Sequence, residues 1–101
     1  MNLTINQKSY EVPQLGFKDM VHMESMGFSI IEMFQKQHFF SLAAAFVGVC
    51  TKCSREEAET LCEQHVLGGG NIEEIYTAFM DAVNSSGFFQ KLLAKEESPQ
   101  A

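Results

Sequence analysis

The sequence predicts a mainly α-helical domain in which a small N-terminal β-hairpin is followed by a bundle of about four to five helices. Apolar residues recur at helical spacing through most of the chain, and the segments that carry them are set off by Ser or Asn starts and Gly stops. Only the stretch before Pro13 alternates apolar with polar residues, the period of a strand. At 101 residues and 46% hydrophobic content the chain can bury one core and not two. A single domain over 1–93, with the hairpin at about 2–13, and a disordered polar tail over 94–101 are expected.

In the first element, Leu3 and Ile5 are matched across Asn6-Gln7-Lys8 by Tyr10 and Val12, so a tight turn would bring their apolar sides together. Asn6 tolerates the left-handed backbone of such a turn, whereas Gln7 suits it less well than Gly would. A hairpin alone is marginal in water, so its apolar face needs helices or a partner beneath it. Phe17, Met20, Val21 and Met23 fall near helical spacing, and Gly27 stops that first helix. Ser29 and Glu32 have capping-box spacing and open a second helix through Ile30-Ile31-Glu32-Met33-Phe34. The following run from Phe39 to Cys50, interrupted only by Ser41, is apolar on nearly every side and reads as a buried helix; continuity with the second helix is left open.

Ser54 with Glu57, and Asn71 with Glu74, are further capping boxes. The helix after Ser54 sets Ala58, Leu61, Cys62 and Val66 on one side against Glu56, Glu59, Glu63 and Gln64, and Gly68-Gly69-Gly70 ends it. The helix after Asn71 is the most regular: Ile72, Ile75, Tyr76, Phe79, Met80 and Val83 form its apolar face. Ser85-Ser86-Gly87 breaks it, and Phe88, Phe89, Leu92 and Leu93 make a last short amphipathic segment.

A net charge of -6 argues against nucleic acid, whose phosphates such a chain repels. The N-terminus lacks the layout of a secretory signal. The apolar run at 39–50 is shorter than the roughly 18–20 residues of a membrane-spanning helix. Three cysteines, an odd number, fit reduced thiols in a cytoplasmic setting better than a disulfide framework.

No catalytic constellation is legible: His22, His38 and His65 have no recognisable nucleophile and carboxylate arrangement, and the triple glycine lacks the Lys-Ser or Lys-Thr of a phosphate loop. The sequence therefore predicts no enzyme and no cofactor. An alternative is a zinc-stapled adaptor or regulatory domain using Cys50, Cys53, Cys62 and His65. The short interval between Cys53 and Cys62 and the apolar neighbours of Cys62 favour core thiols instead. The excess of Phe and Met points to an adaptable apolar binding surface of helix-in-groove type. Its candidate residues are Phe28, Met33, Phe34, Phe39, Phe40, Phe88, Phe89 and Leu92.

Taken in order, LTINQKSYEV, LGFKDMVHMESMG, the Phe- and Ala-rich middle and SREEAETLCEQHVLGGGNIEEIYTAFMDAVNSSGFFQKLLAKEE resemble the tail assembly chaperones of long-tailed bacteriophages and prophages. Gln7 stands where that family more often has Gly, and the three cysteines are outside its pattern. The resemblance implies a non-enzymatic factor in the cytoplasm of the bacterial host, absent from the mature virion. It would bind the tape measure protein and help recruit the tail tube protein. It further implies a longer frameshifted form of the chain as a partner, and a homo-oligomer is a further expectation. No nucleic acid and no membrane are expected as partners.

Overall fold

The computed structural model describes residues 2–97, and it is a mainly helical fold with a two-stranded antiparallel hairpin at its start. Strand β1 (Asn2–Ile5) pairs with β2 (Lys8–Glu11) in the register Leu3 to Tyr10 and Ile5 to Lys8. This leaves Asn6-Gln7 as a two-residue turn, and both residues take positive φ, 50° and 68°. That is the backbone whose twist matches paired strands, adopted here without a glycine. Leu3 and Ile5 are buried and Tyr10 and Val12 half-buried, as the alternation predicts.

Six helices follow: α1 (Phe17–Ser25), α2 (Ile30–Gln35), α3 (Phe39–Thr51), α4 (Arg55–Leu67), α5 (Ile72–Asn84) and α6 (Gly87–Glu97). The count exceeds the expected four to five because the chain breaks between α2 and α3. Gln37 adopts φ 57°, which no α-helix continues. The Ser29 side chain makes no capping bond, so α2 starts without the box that its sequence offers. At Ser29 the backbone is not extended (φ −98°, ψ 84°), so the hydroxyl is not delivered to the helix's first amides. The other two boxes form. Ser54 Oγ accepts the Glu57 N–H at 3.2 Å while Glu57 Oε1 accepts the Ser54 N–H at 3.1 Å. Asn71 Oδ1 accepts the Glu74 N–H at 2.8 Å, with Glu74 Oε1 reaching back to the Asn71 N–H at 3.3 Å.

Helix α3 is the axis of the fold and packs against α1, α2, α4, α5 and β2. Every position from Leu42 to Val49 is buried, which is why its sequence is apolar all round. Around it Phe46, Phe79 and Phe34 form an aromatic series: Phe46 and Phe79 centroids lie 5.0 Å apart, and Phe34 stacks on Phe79 at 5.7 Å. The ends of the chain are tied together by Ser86, fully buried, whose hydroxyl donates to the Leu15 carbonyl at 2.8 Å and accepts the Phe89 N–H at 3.1 Å. Helix α6 carries on to Glu97, past the point where a polar tail was expected to begin at residue 94; residues 98–101 of that expected tail lie outside the described residues. Among the described residues no helix is long and apolar enough to cross a membrane.

Candidate functional site

Three helix ends converge on one side of the fold. The left-handed residue Gln37 ends the preceding turn and α3 starts at Phe39. Only Lys52, Cys53 and Ser54 connect α3 to α4, so the two run antiparallel and the end of α4 returns beside the start of α3. The triple glycine, with Gly69 at φ 106°, then turns the chain into α5 at Ile72. Between these ends lies a groove lined by Phe40, Ser41 and Ala44 of α3, Glu59 and Cys62 of α4, and Ile72 of α5. Small side chains form its floor and Phe40 and Ile72 its walls. Its volume, about 220 Å³, is below the roughly 300–1,000 Å³ of clefts that enclose small molecules, and it suits side chains presented by another polypeptide.

Large apolar side chains are exposed on the helices that line this groove. Phe40 is 76% exposed and Phe39 46%, the latter set edge-on to Tyr76 of α5 at 5.0 Å. Val66, on the same stripe of α4 as Glu59 and Cys62 by helical spacing, is 46% exposed, and Leu67, about 100° further round the helix, is 77% exposed. A second, smaller patch lies where α1 meets α6. There Phe17 is 66% exposed, packs edge-on against Phe88 at 5.7 Å, and has Val21 exposed one turn further along.

Of the residues anticipated as a binding surface, Phe40 lines the groove and Phe39 is exposed against Tyr76. Phe88 lies half-buried under Phe17, and Leu92 is half-buried one turn along α6. Phe34 is half-buried and occupied by Phe79. Phe28, Met33 and Phe89 are buried in the core, so in this fold they support a surface without presenting one. The helical spacing grouped Phe17 with Met20, Val21 and Met23, and Val66 with Ala58, Leu61 and Cys62, yet Phe17 and Val66 are exposed. For Phe17 a signal was present. α1 carries two apolar stripes, Phe17–Val21 and Met20–Met23, and only the one containing buried Met23 faces the core.

The place expected for Val66 is taken by His65, which is buried with Ala58 and Cys62. Its Nδ1 accepts the N–H of Asn6 in the hairpin turn at 2.9 Å, so Nε2 is the nitrogen that carries the proton in the neutral ring, and it faces Glu74 Oε1 at 3.2 Å. The neighbouring Gln64 Oε1 accepts from Asn6 Nδ2 at 3.0 Å. The bond from Asn71 and then the one from His65 hold the Glu74 carboxyl below its ordinary range. Gly70 is required here because a Cβ at that position would overlap the His65 ring.

These partners bear on the zinc alternative. Both ring nitrogens of His65 are engaged, and Cys53 Sγ lies 2.8 Å from Thr51 Oγ1. Burial pushes the Cys50 thiol up to about 12, and burial followed by the charges of Cys53 and Glu59 pushes Cys62 up to about 11. Among the described residues no group of three or more His, Cys, Asp or Glu side chains converges in a way that could hold a metal, and Cys50, Cys53, Cys62 and His65 do not come together. Cys62 instead contributes to the groove floor.

A larger hollow, about 640 Å³, at the other end of the α3–α4 pair is lined by His22, Met26, Lys52, Arg55, Glu56 and Glu57 among others. Its charges are of mixed sign, and Arg55 is already engaged, over the Phe28 ring at 4.5 Å and with the Glu59 carboxylate at 3.1 Å.

No protein-family model matches the chain, and comparisons with curated proteins and with solved structures find no match. Its function must be read from its own surface and its own sequence motifs.

Proposed function

We propose that the chain is a non-enzymatic tail assembly chaperone of a long-tailed phage or prophage. In this reading it binds the tape measure protein in the host cytoplasm, helps recruit tail tube subunits, and leaves before the virion is complete. The sequence resemblance motivates the reading, and the observation that carries it is the exposed Phe40 at a groove sized for side chains, with Phe39, Val66 and Leu67 also exposed on the two helices that line it. An exposed apolar patch on an otherwise acidic protein is the surface expected of a factor that masks long apolar helices while keeping the complex in solution.

The test is co-expression of the tagged chain with the long helical protein and the tube subunit encoded beside it, followed by purification and size analysis. A stoichiometric complex with the long helical protein, lost in Phe40→Ser with the fold intact, is the expected result. Purification of the chain free of both proteins at high expression would overturn the reading.

A further inference from the structure

His65 is 7% exposed, and its two ring nitrogens serve two different parts of the fold. Nδ1 accepts the Asn6 N–H at 2.9 Å and so carries no proton, while Nε2 donates toward Glu74 Oε1 at 3.2 Å. The two partners answer oppositely to a second proton on the ring. A carboxylate binds an imidazolium more strongly than an imidazole, whereas the Asn6 N–H would meet another donor where its acceptor had been. Turning the ring over offers no escape. A half-turn about its bond to Cβ puts Cδ2 in place of Nδ1 and Cε1 in place of Nε2, which satisfies neither partner, and the ring lies against Gly70 where a Cβ would overlap it.

Glu74 of α5 is the one charged side chain among the described residues that bonds to the ring. In the hairpin turn Asn6 and Gln7 are uncharged, and the Lys8 ammonium lies 5.6 Å from the Tyr10 ring centroid, at a hollow lined by Glu57, Thr60 and Leu61 earlier on α4. One turn before His65, Cys62 is kept neutral by burial, which pushes its thiol up to about 11. Gly68-Gly69-Gly70 adds no charge.

We infer that His65 is a proton-operated latch on the hairpin: the neutral ring holds the Asn6 turn to α4, and the protonated ring releases the turn while keeping Glu74. Histidine is the side chain whose charge changes between about pH 5 and 8. The Glu74 carboxyl, held below its ordinary range by Asn71 and then by His65, remains ionised there. Docking of the turn selects the ring without the extra proton, so it is strongest at high pH and weakens as pH falls. The bond from the Asn6 side chain to Gln64 and the burial of Leu3 and Ile5 do not depend on that proton, so the turn opens while the strands stay on the helices. The latch does not depend on the chaperone reading.

The test is NMR of the full chain with isotope-labelled histidine, together with amide hydrogen exchange, in steps from about pH 8 to about pH 5. At the upper end Nδ1 of His65 should be bare and Nε2 protonated. On acidification the ring gains a proton at Nδ1, and protection of the Asn6 amide, corrected for the intrinsic pH dependence of exchange, should fall about tenfold or more, as for a lost buried hydrogen bond. Amides in α3 should keep their protection. His65→Gln, uncharged throughout, should flatten the response. Glu74→Gln withdraws the carboxylate that favours the imidazolium and should move release to more acid pH. A proton on Nδ1 at the upper end, Asn6 protection that stays constant, a fall shared equally by α3, or a response that survives in His65→Gln overturns the inference. The first three need only the parent chain, so a variant that fails to fold does not shelter it.

Discussion

The two flanks of α4 are finished in opposite ways. On one flank the hairpin closes over the helix, Leu3 and Ile5 are buried, and the Asn6 backbone and side chain bond to His65 and Gln64. On the other flank Glu59 and Cys62 line a groove that none of the described residues fills, with Phe40 more than three-quarters exposed beside it. The covered flank combines buried apolar side chains with directional bonds over long sequence separation; the open flank leaves the large apolar side chain of Phe40 exposed. Apolar surface gains most from being covered, and on this flank part of it is left exposed. The proposed binding role is tested where that contrast is sharpest.

Removing what both flanks stand on should have the largest effect. Phe79 is fully buried and touches both Phe46 and Phe34. Phe79→Ala is expected to cost about 3–5 kcal/mol, read by urea denaturation, which in a domain of this size threatens folding altogether. A loss below 1 kcal/mol would mean that the aromatic series does not support α5.

The covered flank can be loosened alone. His65→Ala leaves the Asn6 N–H without its acceptor and should cost about 1–3 kcal/mol, with faster hydrogen exchange at Asn6 as its local sign. Gly70→Ala should produce a similar loss by displacing the same ring. Because both act through one contact, the double variant should be little worse than either single one; additive costs would break the account of Gly70. A smaller effect is expected from Glu74. Its carboxyl gives up its proton more readily in the folded chain than in the unfolded one, where the ordinary value is 4.5. Its contribution is therefore whole above that pH and is lost as pH falls through the lower folded value. Glu74→Gln should be slightly less stable at neutral pH and should lose less than the parent chain on acidification, measured by thermal unfolding across that range.

What was legible in the sequence follows the range of the interactions responsible. Helix α5 and the boxes at Ser54–Glu57 and Asn71–Glu74 depend on neighbours within a turn, and they form as read. The hairpin followed from alternation, although Lys8, read as part of the turn, opens β2 opposite Ile5 and leaves Gln7 in a glycine-like conformation. The face of α4 was misjudged because Val66 has the right spacing for the core while His65 owes its burial to Asn6, 59 residues away, and to Glu74 beyond the triple glycine. The same limit applies to the site. Phe28, Phe39, Phe40 and Phe89 are equally apolar in sequence, and only packing between distant helices decides that the first and last support the core while the middle two stay exposed.

The smallest expected change in stability is also the one that sharpens the comparison most. Phe40 is 76% exposed, so Phe40→Ser removes little buried area and should alter unfolding free energy by no more than about 0.5 kcal/mol. Phe89→Ser, at the other end of the list of anticipated binding residues, introduces a hydroxyl into a fully buried site and should cost several kcal/mol, roughly the loss of a core aromatic. If the open flank is for recognition, partner binding falls in Phe40→Ser at unchanged stability, whereas in Phe89→Ser it falls only in step with unfolding. Equal stability losses in the two variants would mean that the Phe40 ring is covered within the chain itself, and the difference between the flanks of α4 would disappear.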